Sequence, residues 1–144
     1  MNPHIILHLE DNANIRESTK LVFGSYLCEY ESISKENPSQ AFASIDNKEF
    51  SIDDIAIILT DYFMEPGNSI KGNIETGLDA AKGFRKRNYS GPIIVMTALG
   101  EILTDEELSN FNDRINKPYN IDDLVDKIKK YTHNTSKHIL TRKD

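Results

Sequence analysis

Short apolar runs recur along the chain, each stopping abruptly on polar or acidic residues and each followed by helical spacing. Ile5–Leu9 stops at Glu10-Asp11-Asn12, Ile55–Leu59 at Thr60-Asp61, and Ile93–Met96 at Thr97. Unbroken apolar runs of this length suit strands covered on both faces, which is the environment of a parallel sheet. A strand exposed on one face would alternate instead. The segment 28–34 does so, setting Glu29 and Glu31 against Tyr30 and Ser32, and reads as an edge strand. Arg114–Asn116 reads as a weak fifth strand ending at Lys117-Pro118.

The segments between carry helix signals. Asn12 caps a helix with Ile15, Val22, Phe23, Tyr26 and Leu27 on one side. Asn37-Pro38 sets a cap before proline at the first helical position, and Ala41, Phe42 and Ile45 follow. Thr76 with Asp79 opens a third helix bearing Leu78, Ala81 and Phe84. Thr104 with Glu107 forms a capping box for a short fourth helix with Leu108 and Phe111. Asn120 caps the last helix, whose Asp122 and Asp123 suit its first turn and whose stripe is Ile121, Leu124, Val125 and Ile128. Five strand–helix units in series predict an α/β domain with a parallel sheet and right-handed crossovers.

The 144 residues fit one domain. The division expected is a folded body over 1–131 and a short polar tail over 132–144. No run approaches the ~20 apolar residues of a membrane helix, so no membrane insertion is expected. No basic segment precedes an apolar stretch at the N-terminus. Cys28 is the single cysteine, which excludes an internal disulfide and a CxxC metal site and suits a reducing, cytoplasmic compartment. Lys and Arg number 17 against 23 Asp and Glu. That excess of acid argues against direct binding to nucleic acid.

In open parallel sheets, ligands bind beyond the carboxyl ends of the strands. Those ends here carry Glu10, Asp11, Asp61, Thr97 and Lys117. Three carboxylates at one rim repel one another unless a cation intervenes. All the donors are hard oxygens, which suits Mg2+ and gives zinc or copper nothing soft to hold. Thr97 can donate to a phosphoryl oxygen and Lys117 can neutralise another. A carboxylate nucleophile in that company is suited to accepting a phosphoryl group.

With these residues in order, the sequence resembles the receiver domains of two-component response regulators. The matching segments are LHLEDN, IILTDYFMEP, IIVMTA and INKPY, and the resemblance spans residues 3–131. It implies a flavodoxin-like (βα)5 fold, a doubly wound parallel five-stranded sheet of order 2-1-3-4-5. It also implies Mg2+-dependent phosphotransfer to an aspartate from a sensor histidine kinase or a histidine phosphotransfer protein, and signalling to a downstream protein through altered contacts. Carried over by position, Asp61 is the acceptor, Asp11 and Glu10 bind Mg2+, and the Phe63 carbonyl completes the protein ligands. Thr97, Lys117 and the Ala98 amide hold phosphoryl oxygens. A stand-alone receiver that is not a conventional enzyme is expected, with a fragment of a longer regulator as a variant.

The sequence also departs from that pattern. Arg114 stands three residues before Lys117, where many receivers have an aromatic ring. The 14-residue segment from Tyr62 to Glu75 is long for a βα connection. Phe63 and Leu99, two residues past Asp61 and Thr97, are both apolar and unable to position water, which implies a long-lived acyl phosphate.

Three other classes remain. A phosphorylation-independent pseudo-receiver is favoured by Arg114 and the long loop but disfavoured by the intact acidic set. A haloacid-dehalogenase-type phosphohydrolase wants an aspartate where Phe63 stands. An FMN carrier wants a phosphate loop where Glu10-Asp11-Asn12 would repel it. His8 reads as a hydrogen-bonded core histidine, Cys28 as a small core side chain, and Lys82, Arg85, Lys86 and Arg87 as a solvated helix face.

Overall fold

The computed structural model describes residues 3–64, 75–98 and 103–142. Five strands, β1 (Ile5–Leu9), β2 (Glu31–Lys35), β3 (Ile55–Asp61), β4 (Ile93–Thr97) and β5 (Asp113–Asn116), form one sheet. All neighbouring pairs are parallel, and the spatial order is β2-β1-β3-β4-β5. The three inner strands are the three apolar runs, and every residue of β1 and β4 is buried. The two edges are polar: β2 exposes Glu31, and β5 buries only Ile115.

Helices cover both faces. On one side α2 (Pro38–Asp46) and α3 (Gly77–Lys86) bring Ala41, Ala80, Ala81 and Phe84 against Leu7, Leu9 and Ile58. On the other, α1 (Ala13–Tyr26) and α5 (Ile121–Arg142) bring Phe23, Leu124, Val125 and Ile128 against Ile6, Ile57, Leu59 and Met96. The single-turn α4 (Asp105–Leu108) lies against a smaller cluster of Tyr62, Val95 and Leu103. This is the flavodoxin-like arrangement with the order that the resemblance implied.

The predicted caps form. Asn12 accepts from the Ile15 amide, Asn37 from Gln40 and Asn120 from Asp123. Capping boxes close at Thr76–Asp79 and Thr104–Glu107. Each satisfies amide donors that the first turn of a helix leaves without intrahelical partners.

Several expectations need correction. The second strand starts at Glu31 rather than Cys28, because α1 runs on to Tyr26 and the chain then turns, with the Tyr30 amide donating to the Leu27 carbonyl. Cys28 therefore lies exposed in that turn, and Leu27 takes the buried place beside it. Tyr26 and Ile121, predicted for buried stripes, sit at helix ends and are exposed. The 62–75 connection is closed by a short antiparallel ladder of Phe63–Met64 with Glu75–Thr76. Its remaining residues, 65–74, lie outside the described residues, as does Leu99. Helical backbone continues from the body through residue 142, into the expected tail.

Nor is the basic face of α3 merely solvated. Arg85 donates to the carbonyls of Tyr89 and Gly91, and Arg87 stacks over the Phe42 ring, 4.1 Å from its centroid. Phe42 also meets Phe84 edge to face, with centroids 4.9 Å apart. Phe84 thus links α3 to both α2 and the sheet. Truncation there leaves a cavity between rigid neighbours, and Phe84→Ala is expected to cost about 3–5 kcal/mol in urea unfolding. A loss near 1 kcal/mol would show that the helix layer relaxes around the gap.

Candidate functional site

Strand register assembles the site. The pairing of β1 with β3 shifts by one residue between Ile5 and Ile6, passing over Ala56, and it ends with Leu9 opposite Thr60. Glu10 and Asp61, the next residue of each strand, therefore emerge side by side. On the far side, β4 ends with Thr97 opposite Asn116, so Lys117 leaves the sheet next to the Thr97 end. The Lys117 amide donates to the Thr97 carbonyl at 2.7 Å, tying the two strand ends together.

The side chains converge. Glu10, Asp11 and Asp61 each present a carboxylate oxygen, and these oxygens lie within 4.8 Å of one another. Lys117 Nζ reaches Asp61 Oδ1 at 2.5 Å and Glu10 Oε1 at 3.2 Å. Glu10 and Asp61 are almost wholly buried, while Asp11 is half-buried. The Asn12 amide donates to Glu10 Oε2, and the Arg16 guanidinium donates to the Glu10 carbonyl oxygen at 2.7 Å. Thr97, also buried, donates its hydroxyl to Asn116 Oδ1 at 3.0 Å. Ala98 directly follows β4 and is exposed.

Among the described residues, one ammonium serves two buried carboxylates, and that imbalance shapes the electrostatics. Burial raises the Asp61 pKa to about 8, with hydrogen bonding to Glu10 adding to the rise and Lys117 opposing it. Burial works against the charged form of Lys117, but Asp61 and Glu10 outweigh it and raise its pKa. The donor set fits a hard divalent cation: three carboxylates from two adjacent strand ends, two of them buried with less positive charge than they require.

The neighbourhood of Asp61 is pinned on its other side. Tyr62, the next residue, donates its phenol hydroxyl to Glu107 Oε2 at 2.5 Å, from the capping box of α4. The Thr104 backbone amide and then this phenol hold the Glu107 carboxyl below its usual range. Phe63 is exposed and meets the Tyr62 ring edge-on, with centroids 4.8 Å apart. Behind Asp61, Gly77 donates its amide to the Tyr62 carbonyl, and a Cβ there would lie 2.7 Å from the Asp61 carbonyl oxygen. This close approach explains a glycine at the first position of α3.

Of the residues singled out from sequence, Glu10, Asp11, Asp61 and Lys117 come together directly. Thr97 stands at the adjoining strand end with its hydroxyl turned to Asn116, and Phe63 lies two residues past Asp61 in the short ladder. His8 is buried as expected but not hydrogen-bonded as expected: its Nε2 has no partner among the described residues. Burial first, then repulsion by Lys117 and Arg16, lowers its pKa to about 3. The imidazole is therefore a neutral core group, edge-on to Phe23. Asn116, Arg16 and the Tyr62–Glu107 pair were not foreseen. Asn116 had a usable signal, since equal strand ends in a parallel pair make it the lateral neighbour of Thr97.

The fold is that of response-regulator receiver domains. No family model and no curated relative matches the chain. Solved structures do, at low sequence identity. TrrA of Thermotoga maritima, a response regulator solved with Mg2+ and BeF, is 26% identical, with a TM-score of 0.69 over 89% of this chain and 98% of that one. A receiver-domain protein of Clostridium thermocellum is 18% identical, with a TM-score of 0.70 over 92% and 97%. A CheY-like receiver protein of Methanospirillum hungatei is 19% identical, with a TM-score of 0.70 over 94% and 98%.

The raised Asp61 pKa has a consequence for stability. Between its ordinary value of 3.8 and about 8, the folded chain holds a proton that the unfolded chain has lost. The group's stabilising contribution is therefore complete below the lower value and disappears as pH rises toward 8. Without divalent cation, Asp61→Asn is expected to be more stable than wild type by about 1–3 kcal/mol at pH 8, the gap closing near pH 4. Thermal unfolding across that range measures it. An Asp61→Asn protein less stable than wild type at pH 8 would mean that the Lys117 ion pair outweighs the burial of charge.

Proposed function

We propose that the chain is a phosphoacceptor receiver, phosphorylated on Asp61 with Mg2+ and signalling through altered protein–protein contacts. The observation that carries this reading is the single cluster of Glu10, Asp11, Asp61 and Lys117 at the carboxyl rim of a receiver-type sheet. The TrrA structure, with its Mg2+ and BeF, supplies the analogy for the ligands.

In this reading an Asp61 Oδ attacks the phosphorus of a phosphohistidine on a sensor kinase or phosphotransfer protein. The new O–P bond forms as the N–P bond breaks, and the bonding electron pair returns to the imidazole. Ionised Asp61 is the nucleophile. Lys117, already at 2.5 Å from its oxygen, holds the carboxylate in place and offsets charge on the incoming group. Thr97 and the Ala98 amide donate to phosphoryl oxygens. Glu10, Asp11, Asp61 and the Phe63 carbonyl are the residues to hold the cation. When bound, Mg2+ supplies charge neutralisation across acceptor and phosphoryl oxygens, which is most of what this chemistry requires. The chain is then a substrate that assists its own modification.

The output follows from the same contacts. Capture of a phosphoryl group draws Thr97 toward Asp61, and the β4 end, α4 and β5 are the elements joined to that threonine or to Tyr62. A change in their balance of conformations alters the α4–β5–α5 surface that a downstream protein reads.

Incubation with acetyl phosphate and Mg2+ is expected to add one phosphoryl mass, with no adduct when Mg2+ is chelated or in Asp61→Asn. Unmodified wild type under these conditions would favour a phosphorylation-independent binding module, and sustained release of phosphate from esters a hydrolase. The exposed Phe63 beside the acceptor leads to a second expectation. Phe63→Asn, which can hydrogen-bond a water, should speed loss of the phosphoryl group by about 10-fold. An unchanged half-life would remove Phe63 from control of the attacking water.

A further inference from the structure

Thr97 has a single hydroxyl proton, and here it is given to Asn116 Oδ1 at 3.0 Å. We propose that Asn116 is a positioning residue that holds this hydroxyl away from Asp61 in the resting protein. Phosphoryl capture must then break the Thr97–Asn116 hydrogen bond. The proposal rests on the receiver reading and deepens it, by naming the contact on this chain that resists the modified state.

Three observations support the exchange. The first is asymmetry of exposure. Thr97 is 1% exposed, so its hydroxyl needs an acceptor from the protein, whereas Asn116 is an exposed strand-end residue that water satisfies once released. Breaking the bond therefore costs little on the Asn116 side, and a phosphoryl oxygen replaces the acceptor on the Thr97 side. Without a phosphoryl group nothing compensates, so the resting arrangement persists.

The second is the strand register. Thr97 and Asn116 are lateral partners at the ends of β4 and β5, and the Lys117 amide separately donates to the Thr97 carbonyl at 2.7 Å. The backbone ends stay joined when the side chains part. Exchange is then a rotation about the Thr97 Cα–Cβ bond rather than a separation of strands. The third is placement. Asn116 directly precedes Lys117, whose ammonium lies against Asp61, so the competing acceptor and the cation that holds the nucleophile come from adjacent positions. Arg114, on the same edge strand, is exposed. Asn116 is the residue of β5 that contacts the hydroxyl.

The test measures binding of beryllofluoride with Mg2+, followed by tyrosine fluorescence or calorimetry, together with thermal unfolding of the cation-free protein. Asn116→Ala is expected to tighten beryllofluoride binding about three- to tenfold, the worth of one hydrogen bond that no longer has to be broken. The same substitution should lower the unfolding temperature of the cation-free protein. A merely structural role for Asn116 would weaken both. Asn116→Val, which also lacks the acceptor but suits a strand, should behave like Asn116→Ala. In a Thr97→Ala background the tightening should vanish, since the two residues act through one bond. Unchanged or weaker binding by both Asn116 variants, or tightening that survives in Thr97→Ala, overturns the proposal while leaving the receiver reading intact. Wild type that binds no beryllofluoride with Mg2+ defeats the receiver reading, and this proposal with it.

Discussion

A single ammonium placed between two buried carboxylates governs this molecule. Lys117 approaches both Asp61 and Glu10, and neither carboxylate has enough solvent to dissipate its charge. Among the described residues, these two carboxylates and one ammonium in a low-dielectric setting are one positive charge short of balance. The chain answers the deficit by raising the Asp61 pKa. A divalent cation would answer it without a proton, leaving Asp61 ionised and nucleophilic. Proton and cation would thus compete for one place, and under the proposed receiver reading only the cation would leave a group able to attack phosphorus. Burial that would be a defect in an inert core here suits the site to a cation.

The sheet builds that rim from segments far apart in sequence. Lys117 and Glu10 are 107 residues apart, yet they approach to 3.2 Å. Parallel strands with helical returns bring every carboxyl end to one edge, which a meander of antiparallel strands would not do. The one-residue register shift beside Ile5 is the local adjustment that brings Glu10 level with Asp61. Buried apolar faces on both sides then hold each strand end against the layer behind it. The backbone bond from Lys117 to the Thr97 carbonyl fixes the last gap. Charge concentrated at the rim is tolerated because apolar packing below it supplies the stability.

Much of this was legible from sequence, for identifiable reasons. Ile5–Leu9 was predicted to the residue because a strand enclosed by two neighbours leaves a contiguous apolar run with polar residues at its end. The caps at Asn12, Asn37, Thr76, Thr104 and Asn120 were legible because they are local hydrogen bonds within four residues of chain. Edge elements were less so. The start of β2 depends on where α1 stops, and Cys28 and Tyr26 were misplaced together because nothing local distinguishes the last helical turn from the turn after it. The fate of His8 was only half visible: its place in a central strand foretold burial, but not that its Nε2 has no partner among the described residues or that Lys117 and Arg16 help keep it neutral. Asp61 and Lys117 could be paired as candidates, but not the arithmetic of charge between them, which needs distances.

The least legible part is the link between Asp61 and α4. In receivers with an aromatic ring three residues before the lysine, that ring is a natural reporter of the neighbouring hydroxyl. Here the position is Arg114, exposed on an edge strand. An aromatic group buried beside this site comes instead from Tyr62, directly after Asp61, and its phenol donates to Glu107. Glu107 also closes the capping box that starts α4, so one carboxylate serves the helix start and the acceptor segment together. Since α4 is only one turn long, its capping bonds are a large part of what defines it. A shift of the 61–62 backbone on phosphoryl capture would pull on Tyr62 and thus on the cap itself. Under the proposed receiver reading this would be a route from Asp61 to α4 through the backbone of β3, parallel to the one proposed through Thr97. Two such routes leaving one aspartate, one ending in a hydroxyl and the other in a helix cap, would suit the proposed role, in which charge at a single carboxylate sets the state of a surface.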